Sequence, residues 1–236
     1  MKPLGQLALI KKNNSQIIHK TNISILIPYS RPNKIRECIE SIKSSRVSLS
    51  EVVVGDTLGD FEPKNFDDLG LNIVVLRFTE SDISNVYKGL VTNSTGEYIY
   101  FLEDDDLLMP PFTSAFRVIK ESKSDLGICN YFGYEGLQMD FCQTRQADFE
   151  DFKKSFPHYK KFQLGRIIIK KSLIQKFPKN NNLLNDWHLF AHLSPKRFLI
   201  LPYSIYKQRV DDTNISFNIR EPYFESEIPT MENICK

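Results

Sequence analysis

Apolar residues follow two rhythms along this chain. ISILIP (23–28), EVVVGD (51–56), NIVVLRF (72–78) and EYIYFL (97–102) are short, nearly continuous apolar runs rich in β-branched and aromatic residues. Such runs predict strands covered on both faces, as in a parallel sheet. Between them the apolar positions recur at helical spacing. In RPNKIRECIESIKSS (31–45), Ile35, Cys38, Ile39 and Ile42 share one face, and Pro32 suits a first turn. In SDISNVYKGLVTNSTG (81–96) the stripe is Ile83, Val86, Tyr87, Leu90 and Val91, ended by Asn93 to Gly96. PPFTSAFRVIKES (110–122) predicts a third helix, entered through prolines. Strand, helix, strand, twice over, predicts an α/β fold: a doubly wound, Rossmann-like sheet with helices on both faces.

The second half is less regular. Residues 127–150 mix glycine, aromatic and polar residues without a clear period. RIIIKKSLIQKF (166–177) has a short apolar run before a helical pattern. NDWHLFAHLS (185–194) predicts a helix, and RFLILP (197–202) a strand. The expected division is a lead-in (1–22), a regular α/β half (23–122), a smaller, less regular half (123–220) and an acidic tail (221–236). With no linker visible, the halves should pack as one unit.

Composition narrows the function classes. A chain of 236 residues, 41% hydrophobic and 25% charged, can bury a full core. A net charge of +2 gives no global argument for a nucleic-acid or membrane partner. The cysteines at 38, 129, 142 and 235 share no metal-ligand spacing. No apolar run approaches the roughly 18 residues of a membrane span, and MKPLGQLALIKKNNSQ lacks a signal-peptide core and cleavage site. The expectation is a cytoplasmic protein, with a peripheral seat at a membrane left open. Residues 151–180 hold nine Lys or Arg against one acid, Asp151. This is either a solvated helix face or a landing surface for an anionic acceptor or membrane leaflet.

The chemistry concentrates where the fourth strand ends. EYIYFLEDDDLLMPPF (97–112) drives an apolar strand into Glu103, Asp104, Asp105 and Asp106. In open α/β sheets ligands bind beyond the carboxyl ends of the strands. Adjacent carboxylates repel one another, and a hard divalent cation removes that cost. Mg²⁺ or Mn²⁺ takes one or two carboxylates plus substrate phosphates, so the cluster predicts a metal bridging to a diphosphate. A solvated acidic turn is the alternative. Asp56 ends the second strand at the same edge and could accept from a base or ribose, or cap a turn. Pro28 and Tyr29 end the first strand there, and Tyr29 could stack on a base.

In order and spacing, ISILIPYSRPNKIRECIESI, EVVVGD and GEYIYFLEDDDLLMPPF resemble the GT-A glycosyltransferases of family 2, over residues 23–122. The resemblance implies a nucleoside-diphosphate-sugar donor, a UDP-sugar above all, and a DxD-type metal motif served by Mn²⁺ or Mg²⁺. It implies base binding at Asp56, ribose or metal contact at Glu103, and metal binding at Asp105 with Asp106 beside it. Asp104, Arg31, Pro28 and Tyr29 would belong to the nucleotide-sugar site, and Lys88 falls near a basic residue that can face the nucleotide. GDTLGD lacks the family's second Asp and Gly-Ser, and Glu103 stands where the family has Asp.

The same resemblance implies an inverting transfer whose general base opens a helix. Asp186 in LLNDWHLF is the candidate base, and a helix N-terminal acid is the alternative. Trp187 could stack on a sugar ring or belong to the core. His188 and His192, four apart, suit packing or acceptor contacts better than a metal pair. SIYKQRVDDTNISF (204–217) resembles the family's closing segment, whose His falls at Gln208 or Arg209. Arg209 cannot ligate metal but could clamp phosphate, or form a surface ion pair. Asn214 and Ser216 complete the match. The acceptor stays open: a glycan, a lipid-linked saccharide, a protein or a nucleic acid. Two other functions compete. A sugar-phosphate nucleotidyltransferase would need a Gly-rich basic loop, and PYSRPNK carries Arg31 and Lys34 but no glycine. A non-catalytic nucleotide-sugar-binding relative would tolerate the Glu103 and Arg209 departures.

Overall fold

The computed structural model describes residues 8–10, 23–79, 83–133, 136–138, 140–155, 163–174, 189–190 and 192–209. They form one mixed sheet. Its strands are β1 (Ala8–Ile10), β2 (Ile23–Tyr29), β3 (Glu51–Asp56), β4 (Ile73–Arg77), β5 (Tyr98–Phe101), β6 (Leu107–Leu108), β7 (Leu126–Gly133), β8 (Gly136–Gln138), β9 (Arg145–Ala147), β10 (Ile167–Lys170) and β11 (Phe198–Lys207). Nine run side by side in the order β1-β4-β3-β2-β5-β10-β7-β11-β6, with β8 attached to β7 and β9 to β11.

The apolar runs of the first half are the parallel strands β4, β3, β2 and β5. Every residue of β2, β3 and β5 is buried, as runs covered on both faces should be. Helices α1 (Ile35–Ser44) and α3 (Phe112–Glu121) cover one face, through Ile35, Cys38, Ile39 and Ile42 and through Phe112, Ala115, Phe116 and Ile119. Helices α2 (Ile83–Asn93) and α4 (Phe149–Ser155) cover the other, α2 with Val86, Tyr87, Leu90 and Val91. Between β3 and β4 the chain makes only a 3-10 segment, Pro63–Leu69.

In the second half the sheet is mixed. β10 runs antiparallel between β5 and β7, and β11 is parallel to β7. The stretch expected to be irregular contains β7, eight residues long. The apolar run Ile167–Lys170 is β10, followed by a short 3-10 turn, Lys171–Leu173. The strand expected at 197–202 extends to Lys207. Of the helix expected at 185–194, only Leu189 and Phe190 are described as helical. Asp186, Trp187, His188, Asn214 and Ser216 lie outside the described residues.

A polar knot ties the amino ends of the central strands. Buried Glu51 accepts from Ser24 Oγ and from the backbone and hydroxyl of Thr95, while Ser24 Oγ accepts from Gly96 N. A Cβ on Gly96 would lie 2.6 Å from Ser24 N and 2.7 Å from Tyr98 O, so only glycine fits this close approach. The register set here places Tyr29, Asp56 and Arg77 level at the opposite, carboxyl edge.

Candidate active site

The strand order reverses between β2 and β5, where a doubly wound sheet opens its ligand crevice. β2 outlasts β5 there. The ladder between them stops at Leu26 and Phe101, so Pro28, buried beyond it, deprives β5 of no hydrogen bond. The acidic turn leaves β5 at this point. Asp104 reaches across to the end of β2 and accepts from Ser30 N at 2.6 Å and Arg31 N at 2.7 Å through one oxygen. Its other oxygen lies 3.0 Å from Arg31 Nη1, an ion contact without hydrogen-bond alignment. The same Nη1 contacts Asp105.

The neighbouring carboxylates have separate partners. Glu103 accepts from Tyr87 Oη of α2. Asp106 accepts from Arg209 N at 3.0 Å, just beyond the end of β11. The Arg209 side chain donates to the Asp105 carbonyl, to Glu37 and to the Lys34 carbonyl, and so straps β11 to α1. Asp104, Asp105 and Asp106 are 0, 6 and 7% exposed, which rejects the solvated acidic turn. Burial pushes the Asp104 carboxyl above the usual carboxylate range, opposed by Arg31 and the two backbone donors. Burial also pushes Asp106 well up, and the charge of Asp105 adds to it. Burial works against the charge of Arg31, and Asp104, Asp105 and Glu103 more than offset it.

Asp56 is the second anchor. Fully buried, it accepts from Leu58 N, Gly59 N and Phe61 N at 3.0, 2.7 and 3.2 Å, with Arg77 Nε 3.6 Å away. Its oxygens are spent on its own loop. This is the turn-capping alternative, and any nucleotide contact would come through the loop it shapes. Tyr29, expected to offer a ring to a base, is buried instead. Its ring meets Phe61 edge-on, and Phe61 stacks on Phe66. Tyr29 therefore builds the wall behind this loop. Lys88 is exposed on α2, next in sequence to Tyr87.

Asp105 and Asp106 remain as the oxygens a cation could use. Among the described residues no three His, Cys, Asp or Glu side chains converge into a protein-only metal cage. They are adjacent buried carboxylates, the charge of Asp105 raises the cost of charge on Asp106, and such oxygens suit a hard dication.

The likeness to known proteins agrees with this geometry. No family model matches the chain. The chain is 24% identical over 233 residues to "Putative glycosyltransferase EpsH" of Bacillus subtilis (strain 168), covering 89% of this chain and 67% of that protein. Its fold superposes on crystal structures of S. aureus TarS 1-349 (TM-score 0.63), of the same protein in complex with UDP (0.66) and in complex with UDP-GlcNAc (0.64), at 17–18% identity. The fold is that of a GT-A glycosyltransferase. The likeness covers 79–82% of this chain and 60–61% of those TarS chains, so the chain spans about three-fifths of their length.

Within this GT-A fold several site contacts had no signal in the sequence. Tyr87 reads as one more residue of an apolar stripe, Lys34 as a basic residue of the PYSRPNK loop, and Glu37 belongs to no motif. Each meets the site through chain separations of 16 to 175 residues, which no local spacing records. The basic stretch looks different in three dimensions. Lys153 and Lys154 pair with Glu150 and Asp151, and Lys170 with Glu97 and Asp125. Arg166 is fully buried, bonded to Asp140 and the Cys129 carbonyl between the rings of Tyr131 and Phe141. These described members are tied to protein groups. Lys160, Lys161, Lys176 and Lys179 lie outside the described residues.

Proposed function

We propose that this chain is a glycosyltransferase that moves a sugar from a UDP-sugar to an acceptor hydroxyl, with inversion and with Mn²⁺ or Mg²⁺, in the cytoplasm. The observation that carries the reading is Asp104 pinning the Ser30–Arg31 backbone across the crevice where the strand order reverses. Evidence for the donor class comes from the UDP and UDP-GlcNAc complexes of TarS, whose fold this chain shares.

Each group then has a task. Asp56 fixes the loop 57–61, and Tyr29 and Pro28 form the wall behind it, so that the surface of this loop rather than the Asp56 carboxylate meets the base. Asp105 and Asp106 would hold the cation, which neutralises charge gathering on the departing diphosphate. Glu103, oriented by Tyr87, would contact the ribose or the metal. Arg209 already spends its guanidinium on α1, so its part is to hold β11 against the acidic turn. Asp186, by resemblance, takes the acceptor proton as the hydroxyl attacks opposite the diphosphate. Trp187 and His188 would line the acceptor side, and Lys88 the nucleotide rim. An anionic acceptor would match the local excess of Lys and Arg in residues 151–180.

The test is a panel of nucleotide sugars with Mn²⁺, scored by UDP release and by transfer to added saccharide acceptors. A UDP-sugar should be consumed, and Asp186→Asn should keep UDP binding while losing about 10²–10⁴-fold in transfer. Consumption of nucleoside triphosphates with sugar phosphates, and of no nucleotide sugar, would reject the proposal.

A further inference from the structure

Two arginines meet the acidic turn, and they are held differently. Arg209 donates from Nε, Nη1 and Nη2 to protein oxygens, two of them backbone carbonyls. Its position is fixed by the fold. Arg31 is joined to the cluster through its backbone N–H, which donates to Asp104. Its guanidinium lies between Asp104 and Asp105 by charge alone on the Asp104 side, where Nη1 and Oδ1 are both buried and lack an aligned hydrogen bond. The side chain is 22% exposed, so it borders the crevice. Its hold on Asp105 is a charged contact through that same Nη1, so the guanidinium fills the place where two carboxylates call for a cation.

We infer that Arg31 is an exchangeable counter-ion: it neutralises Asp105 until a dication takes that carboxylate, and then turns its freed guanidinium to the donor's diphosphate. The inference rests on the reading of this site as a cation and diphosphate site. Its physical basis is that Asp104 anchors the Arg31 backbone independently of the side chain, so the guanidinium can leave Asp105 without unfastening the loop. The exchange keeps a positive charge beside buried Asp105 at every stage, and it delivers a bidentate donor to phosphate at the moment the cation arrives.

Competition has an opposite signature on the two ligands. Arg31→Gln removes the competing charge, so Mn²⁺ alone should bind about tenfold more tightly than to the wild type, as expected for deleting one unit charge a few ångströms away. UDP, measured with saturating Mn²⁺, should bind more weakly by a similar factor. Titration calorimetry and Mn²⁺ electron paramagnetic resonance read the two separately. Mn²⁺ binding that is equal or weaker in a folded Arg31→Gln protein overturns the inference while leaving the donor site standing. Absence of UDP binding in the wild type rejects the donor site, and the inference with it. Should Arg31→Gln fail to fold, the wild type decides. The side-chain Nε–H NMR signal of Arg31, assigned with Arg31→Lys, should move on adding Mg²⁺ and again on adding UDP. A signal unmoved by saturating Mg²⁺ overturns the inference.

Discussion

Replacing Asp56 with alanine should cost the protein stability first and donor binding second. The carboxylate serves three backbone donors within its own loop and faces Arg77. The amides of Leu58 and Gly59 sit at an exposed bend, where water can replace the lost oxygen cheaply. Phe61 N is buried, and an orphaned buried donor costs about 1–3 kcal/mol. Adding the weakened pair with Arg77 and the partly rehydrated amides gives a total of about 2–4 kcal/mol. For a chain of this size each kcal/mol moves Tm by about 2–4 °C, so the drop should be roughly 4–16 °C. Asp56→Asn keeps one acceptor oxygen and should lose about half as much. Urea unfolding followed by circular dichroism gives the stability, and calorimetry on the folded fraction gives UDP affinity. An unchanged unfolding midpoint together with abolished UDP binding would refute the reasoning, because the carboxylate would then be a ligand contact and not the loop's anchor.

Other substitutions test other joints. Gly96→Ala forces a methyl against the backbone of Ser24 and Tyr98 and should destabilise by about 2–3 kcal/mol in the same unfolding assay. Tyr87→Phe frees Glu103 of its hydroxyl partner; it should cost about 1–2 kcal/mol and alter the metal dependence of transfer more than its maximal rate. Arg166→Met leaves the Cys129 carbonyl and Asp140 without their donor and should cost about 3–5 kcal/mol, measured by thermal unfolding. Burial pushes the Tyr98 hydroxyl up to about 12, and it donates to the Ser124 carbonyl. A folded-state value above the unfolded one means the stabilisation is complete below about pH 10 and is lost as pH rises toward 12. Unfolding free energy should therefore fall over that window, and less steeply in Tyr98→Phe.

The first half of the fold was legible because its rules are local. Runs such as EVVVGD have no polar face, and Ile35, Cys38, Ile39 and Ile42 have a helical one; both patterns survive in the structure. The second half was harder for a physical reason. β7 reads LGICNYFG, with glycine at both ends of its pattern and a buried Asn130 in the middle. That asparagine is satisfied by the backbone of Phe141 and by the Pro202 carbonyl, 11 and 72 residues along the chain. The acidic turn's position was legible from the strand that delivers it. Its internal division of labour was not. Asp104, Asp105 and Asp106 are adjacent in sequence, yet one pins the β2 loop, one faces Arg31, and one meets the end of β11. Tyr29 looked like a stacking platform because it ends a strand at the right edge. Phe61, 32 residues on, covers it.

In the proposed reaction Asp105 and Asp106 unite a divalent ion with a UDP-linked donor at the β2–β5 crevice. Calorimetric titration of UDP into the wild type and into Asp105→Asn, each with Mn²⁺ and then with EDTA, tests it most directly. The wild type with Mn²⁺ should bind tightly, with a loss of at least about tenfold, 1.4 kcal/mol, in each of the other three conditions. Equal UDP affinity in all four would contradict it.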